Sequence, residues 1–198
     1  MDKLSYERQL HGSGYRYVCG VDEVGRGPLA GPVVCAAVIM PSDDVIEGVD
    51  DSKKLTPRRR TALAGLIRQK AVAWAICRVE PRVIDKINIL QATRLCMKNA
   101  VESLSVRPDF VLVDGNMTLD IDIEQRSIIG GDASCYCIGA ASIIAKVFRD
   151  ELMAQYAAVY PGYGFEKNAG YGTAEHIAAI VAKGLTPIHR RSFTKKWQ

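Results

Sequence analysis

The segment Val21-Asp22-Glu23-Val24-Gly25-Arg26-Gly27 sets two adjacent carboxylates into a run that otherwise reads as a buried strand. Unpaired charge in such a place is costly, so an arginine, a raised pKa or a divalent cation must compensate it. Two further acids stand where an element ends or begins. Asp114 closes the apolar run Phe110-Val-Leu-Val113, and Asp132 follows Gly130-Gly131 just ahead of a long helical stretch. Three or four carboxylates converging without His or Cys suit hard, oxygen-liking ions such as Mg²⁺ or Mn²⁺. Two such ions about 3.5–4 Å apart activate water and stabilise the leaving oxygen in phosphodiester hydrolysis. Neighbours along a strand point to opposite faces, so Asp22 is the better-placed ligand and Glu23 needs a twist or bulge to join it.

The elements that must position these acids follow from patterning. Strands are expected over 15–24 and 33–40, on either side of the Gly/Pro-rich corner Gly25-Arg-Gly-Pro-Leu-Ala-Gly-Pro32. Pro57 opens a helix over 58–70 with Thr56 as its N-cap, and a third strand follows over 71–79. Short links between these strands predict an antiparallel meander. Ile84, Ile87, Leu90, Leu95, Met97, Val101 and Leu104 recur near helical spacing from Pro81 onward. Short strands are then expected over 110–113 and 126–129, a long helix over 138–160, and a further helix near 173–182. Asp120, Asp122 and Glu124, alternating with Ile121 and Ile123, read as a half-exposed strand. The result is an α/β class: a mixed sheet, antiparallel N-terminal meander plus parallel strands, flanked by helices. One domain over 1–198 is expected, with a C-terminal helical segment from about 160 to 198 packing on it.

Composition bounds the rest. The 198 residues are 48% hydrophobic and 24% charged, and 17 Gly with 8 Pro exclude fibrous and collagen-like classes. The longest apolar run, 33–40, is far short of a bilayer span. The N-terminal residues carry acids and no apolar stretch, so no secretory signal is read there and a cytoplasmic location is expected. All 22 acidic residues precede residue 181, after which come Lys183, Arg190, Arg191, Lys195 and Lys196. A second acid-free basic block runs over 53–70. Such clustering suits a polyanion, because each phosphate contact releases counterions. Six cysteines, at 19, 35, 77, 96, 135 and 137, include no Cys-x-x-Cys. They are expected to be reduced, mostly buried small hydrophobes, and no structural zinc site is expected.

The residues 22–34, Asp-Glu-Val-Gly-Arg-Gly-Pro-Leu-Ala-Gly-Pro-Val-Val, resemble the signature of the type 2 ribonuclease H (ribonuclease HII) family. The likeness continues through Asp51-Ser-Lys-Lys-Leu55, Ile87-Asn-Ile-Leu-Gln-Ala92, Val113-Asp-Gly115, Gly131-Asp132 and Ala140-Ala-Ser-Ile-Ile-Ala-Lys146. Gly170-Tyr-Gly-Thr173 and Thr186-Pro-Ile-His-Arg-Arg-Ser-Phe193 close it. The resemblance implies an RNase H-like fold and hydrolysis of RNA paired with DNA, including a single ribonucleotide embedded in duplex DNA. It implies metal-site acids at Asp22, Glu23, Asp114 and Asp132. It further implies reading of the ribose 2′-hydroxyl by Gly25, Arg26 and Gly27, and a substrate-sensing Tyr171. Lys53, Lys54 and Lys146 are candidate phosphate contacts. RNA/DNA hybrid or ribonucleotide-containing duplex DNA is therefore the expected partner, in replication and repair, with no membrane and with the chain a monomer. Two departures from the family pattern stand out. Gly130 stands where the family usually has Lys, and Asn168-Ala169 where it has His-Lys, each removing positive charge or a donor.

Two rival classes are weaker. Gly25-x-Gly-x-x-x-Gly31 is followed by Pro32 and a β-like run instead of a helix, which breaks the dinucleotide fingerprint. A non-catalytic nucleic-acid binder has no need of acids at three element ends, where they repel phosphate unless metals are present. Asp150 is expected to pair with Arg149 or a neighbouring helix.

Overall fold

Three apolar runs, Val18–Val24 (β1), Val33–Ile39 (β2) and Ala73–Val79 (β3), pair antiparallel in chain order. Phe110–Asp114 (β4) pairs parallel with the free side of β1, and Glu124–Ile128 (β5) parallel with β4, giving the order β3-β2-β1-β4-β5. The structure, a computed structural model, describes residues 2–49, 52 and 55–197. The mixed sheet expected from the sequence is the one that forms. β2 is buried along its whole length, as a continuous apolar strand covered on both faces should be. Pro81–Glu102 (α3) covers one face against Val21, Val33 and Val111. Pro57–Lys70 (α2) and Tyr136–Val159 (α5) cover the other.

Local chemistry sets the helix ends. Thr56 Oγ1 accepts from Arg59 N at 3.3 Å, the N-cap that the sequence suggested. The helix expected from Pro81 is kinked at Asn88, whose φ is 64°. Asn88 Oδ1 accepts from Leu90 N (3.0 Å) and Gln91 N (3.1 Å), capping the helix afresh after the break. The expected strand over 120–124 does not form before Glu124. The Gln125 side chain takes both backbone groups of Leu119, at 2.7 and 2.9 Å, and the Asp120 carboxylate turns out to Lys98 at 2.8 Å. Ser5–Gly12 (α1), Gly131–Ser134 (α4) and Phe165–Asn168 (α6) are short helices that periodicity did not reveal. Ala174–Lys183 (α7) begins at Thr173, which accepts from His176 N.

Two packing contacts position the site. α5 lies directly on β1 at Gly20, where a Cβ would stand 2.3 Å from the Cys137 carbonyl carbon, so only glycine fits. Asp22 shares the Gly20 face and therefore looks toward α5. Beyond α5 the chain returns to the Gly/Pro corner. Ala30, Met153, Tyr163, Phe165, Ala179, Ile180 and Ile188 form one apolar cluster, and Ala30 bridges His189.

Candidate metal centre and nucleic-acid interface

Pairing between β1 and β4 runs from Val18↔Phe110 to Val21↔Val113 and then stops. The next residue on each strand is an acid. Asp22 follows the parity of Gly20 and Asp114 that of Leu112, so both face α5. Glu23 has the opposite parity, with Cys19 and Val21, whose side chains pack toward α3. Its carboxylate nevertheless reaches round the strand end, and ligand oxygens of Asp22, Glu23 and Asp114 all lie within 4.8 Å of one another. A long side chain where β4 has stopped pairing achieves this without a bulge.

The cluster is electrostatically incomplete. Asp22 is 5% exposed, and it accepts from Glu23 N at 2.7 Å and from the Ser142 hydroxyl on α5. Burial first, then the charges of Glu23 and Asp114, push its pKa well above the usual carboxylate range. Burial likewise raises Glu23, with the Arg26 guanidinium at 3.5 Å pulling the other way. Glu23 Oε2 is buried with no hydrogen-bond partner. Buried carboxylates crowded this closely, with an orphaned oxygen, have the donor chemistry of a site for a hard divalent cation. Asp132 sits beside them on α4, its backbone N–H 3.3 Å from Asp114 Oδ1. Its carboxylate is not part of the three-residue group found among the described residues.

The Gly25-Arg-Gly corner is held from below by two arginines that sequence reasoning did not single out as supports. Arg190 donates to Gly31 O (2.9 Å), Arg26 O (2.8 Å) and Gly25 O (2.5 Å). Arg149 donates to Pro32 O (3.2 Å), Ala30 O (3.3 Å) and Ala169 O (2.9 Å). Both guanidiniums are fully buried, and Arg190 is pushed down to about 9 by burial and by the charge of Arg149. In a trans peptide the C=O of one residue and the N–H of the next point oppositely. Drawing the carbonyls of Gly25 and Arg26 inward therefore turns the N–H groups of Arg26 and Gly27 away from the core. Both residues are exposed.

Tyr171 belongs to the same surface. It is 45% exposed, and a Cβ added at Gly27 would stand 3.6 Å from its ring. Leu29 N donates to Gly170 O at 2.8 Å, tying the Tyr171 loop to the corner. Asn168 and Ala169 brace this loop. Asn168 donates to Tyr163 O at 2.7 Å and accepts from Gly170 N at 2.8 Å.

Of the three expected phosphate contacts, only Lys146 lies among the described residues. Lys53 and Lys54 lie outside the described residues. Lys146 is ion-paired with Asp150 at 2.6 Å, and Asp150 also meets Arg60 of α2 at 3.2 Å, so its partner is a neighbouring helix instead of Arg149. Two members of the basic blocks, Arg60 and Arg190, are turned inward. Arg60 is buried on Ser52 O and Leu55 O, and Arg190 serves the corner.

A buried imidazole relay sets Tyr171 from behind. Thr186 N donates to His189 Nδ1 (2.9 Å), which leaves the His189 Nε2–H to donate to His176 Nε2 (3.1 Å). His176 Nδ1–H then donates to Tyr171 O (2.8 Å). Both rings are thereby held neutral, and His189 is pushed down to about 4, chiefly by burial and then by His176. The unfolded chain takes up the proton first, so this stability is complete above pH 6.5 and declines as pH falls toward 4. Melting temperature should drop across that window, and His189→Gln should flatten part of the drop. Parallel melting curves for the two proteins would contradict the relay.

A family model described as Ribonuclease HII matches residues 19–196. The chain is 53% identical over 192 residues to Ribonuclease HII of Ligilactobacillus salivarius (strain UCC118), covering 97% of this chain and 75% of that protein. Ribonuclease HII of Leuconostoc mesenteroides is 53% identical over 193 residues, covering 98% and 76%. Among solved structures, ribonuclease H2 from Pyrococcus horikoshii OT3 superposes with a TM-score of 0.77 at 27% identity, covering 91% of this chain and 96% of that one.

Proposed function

This chain belongs to the ribonuclease HII family of metal-dependent endoribonucleases, and from that premise we propose that it hydrolyses the RNA strand of RNA/DNA hybrids and nicks 5′ of single ribonucleotides in duplex DNA. The products carry 5′-phosphate and 3′-hydroxyl ends, and the chain acts as a single catalytic domain and a monomer. The observation that carries this reading is the Asp22, Glu23 and Asp114 cluster with its orphaned Glu23 oxygen, beside a corner whose amides face outward.

Asp22, Glu23, Asp114 and Asp132 would hold two Mg²⁺ or Mn²⁺ ions. When bound, these ions supply an activated water and charge stabilisation at the departing 3′-oxygen. The protein's own residues do the selecting and the positioning. Gly27 lets the corner approach a minor groove closely, where the outward N–H groups of Arg26 and Gly27 meet the 2′-hydroxyl that marks RNA. Tyr171 stacks on the adjoining sugar. Ser142 and the Glu23 N–H fix the Asp22 carboxylate so that its orientation does not depend on substrate. Lys146 reaches a phosphate by exchanging its Asp150 partner.

The test is cleavage of a labelled DNA duplex carrying one ribonucleotide, beside an all-DNA duplex and a long hybrid, with Mg²⁺, Mn²⁺ or chelator. The expected result is a metal-dependent nick 5′ of the ribonucleotide and an intact all-DNA control. Tyr171→Ala should lower single-ribonucleotide cleavage by about 10–100-fold, the range for losing one stacking contact, and long-hybrid cleavage by less. Equal losses on both substrates would remove junction sensing from Tyr171.

A further inference from the structure

Helix α1 takes no part in the proposed chemistry, yet it carries a buried acid. Glu7 is 7% exposed and packs at the start of α5. Its Oε1 accepts from Cys137 N at 2.8 Å and lies 3.4 Å from Cys135 Sγ, while its Oε2 is buried with no hydrogen-bond partner. The two sulfurs are 3.6 Å apart, both cysteines are free, and each is at least nine-tenths buried. Among the described residues this is the one ligand group that contains sulfur, with a donor atom from each of Glu7, Cys135 and Cys137 within 4.8 Å of the others.

We propose that Glu7, Cys135 and Cys137 form a second metal site, for one thiophilic divalent cation of the zinc class. The spacing supports it. Zinc–sulfur bonds of about 2.3 Å at the tetrahedral angle put two sulfurs about 3.8 Å apart, and a sulfur and a carboxylate oxygen about 3.5 Å apart. The observed edges, 3.6 Å and 3.4 Å, match both without rearrangement of the backbone. Two of the three donors, Glu7 and Cys137, also line a small cavity of about 40 Å³, shared with Arg8 and His11 and large enough for one water. His11 Nδ1 is 2.9 Å from Tyr15 O, so its proton sits there and Nε2 is left as an acceptor. Binding releases one proton from each thiol to solvent and leaves two thiolates and a carboxylate on the cation, with no change of oxidation state. Thiolate donors separate this site from the all-oxygen cluster at Asp22 by ligand softness. Cys-x-Cys alone does not specify a metal site, and the expectation of no structural zinc site missed this one because its third ligand comes from a helix some 130 residues away.

The experiment uses the full chain, chelator-treated and kept under a non-thiol reductant, with all six thiols counted in denaturant beforehand. Titration with Co²⁺ should give visible d–d bands and a near-ultraviolet thiolate-to-metal band that saturate at one equivalent, and Zn²⁺ should abolish both. Cys135→Ser/Cys137→Ser should remove the thiolate band, while Asp22→Asn should leave it intact. Glu7→Gln, which keeps the acceptor to Cys137 N, should weaken cobalt affinity at least tenfold. No thiolate band at stoichiometric cobalt in the folded wild type, or a band that survives loss of both cysteines, would overturn the site. Unchanged affinity in Glu7→Gln would overturn the three-ligand assignment.

Discussion

Replacing Asp114 with Asn should lower turnover on a ribonucleotide-containing duplex by about a thousandfold or more, with duplex affinity changed only a few-fold. Asn keeps the volume and an oxygen to accept from Asp132 N, at 3.3 Å in the native chain, so the local backbone has no reason to move. What disappears is one negative charge from a trio whose ligand oxygens lie within 4.8 Å of each other. A thousandfold is about 4 kcal/mol of transition-state stabilisation, within the several kcal/mol that a bound cation contributes. The same variant should be more stable than the wild type when no divalent ion is present. Asp22 is raised above its unfolded value, so the stability it contributes is fully present below about 3.8 and is lost as pH rises through its folded pKa. Removing the Asp114 charge relieves that repulsion, and Mg²⁺ added to the wild type should relieve it too. Steady-state cleavage and thermal melts with and without Mg²⁺ check both halves. Near-normal turnover in Asp114→Asn would detach Asp114 from the chemistry.

Arg190→Met should lower the melting temperature by roughly 10 °C. The carbonyls of Gly25 and Gly31 would be left buried without a donor, and that of Arg26 would lose its partner. Each such loss costs about 1–3 kcal/mol, and a domain of this size shifts by about 2–4 °C per kcal/mol. The functional consequence is larger than the stability figure suggests. With nothing drawing its carbonyls inward, the corner is free to rotate its peptides, and the N–H groups of Arg26 and Gly27 lose their fixed outward direction. Selectivity for ribonucleotide over deoxynucleotide should therefore fall more than turnover on a long hybrid. Arg190→Lys should recover only part of either property, because a single ammonium cannot span three carbonyls as the guanidinium fork does. A variant as stable and as selective as the wild type would contradict the support role.

Arg149 and Arg190 mark the boundary of what is legible in the sequence. The strands, the meander, the long helix and the Thr56 cap were all visible, because each rests on local periodicity or on a capping residue. Asp22 and Asp114 were visible because a charge ending an apolar strand is locally anomalous. Glu23 was harder. Strand alternation argued against its sharing a site, and only the end of β1–β4 pairing at Val21↔Val113 shows how it does. Arg149 and Arg190 gave no local signal at all. Arg190 reads in the sequence as part of a basic tail, and its burial depends on a return of the chain to residues 25–31 that no short-range pattern encodes. The strand expected over 120–124 failed for a related reason. Gln125 satisfies the Leu119 backbone by itself, which alternation of side chains cannot anticipate.

The most direct measurement is anomalous diffraction from crystals of the chain grown with Mn²⁺. The account predicts density within about 2–2.5 Å of carboxylate oxygens of Asp22 and Asp114, with Glu23 and Asp132 completing the shell. Manganese-dependent nicking in solution, with no manganese at Asp22 and Asp114 in the crystal, would contradict it.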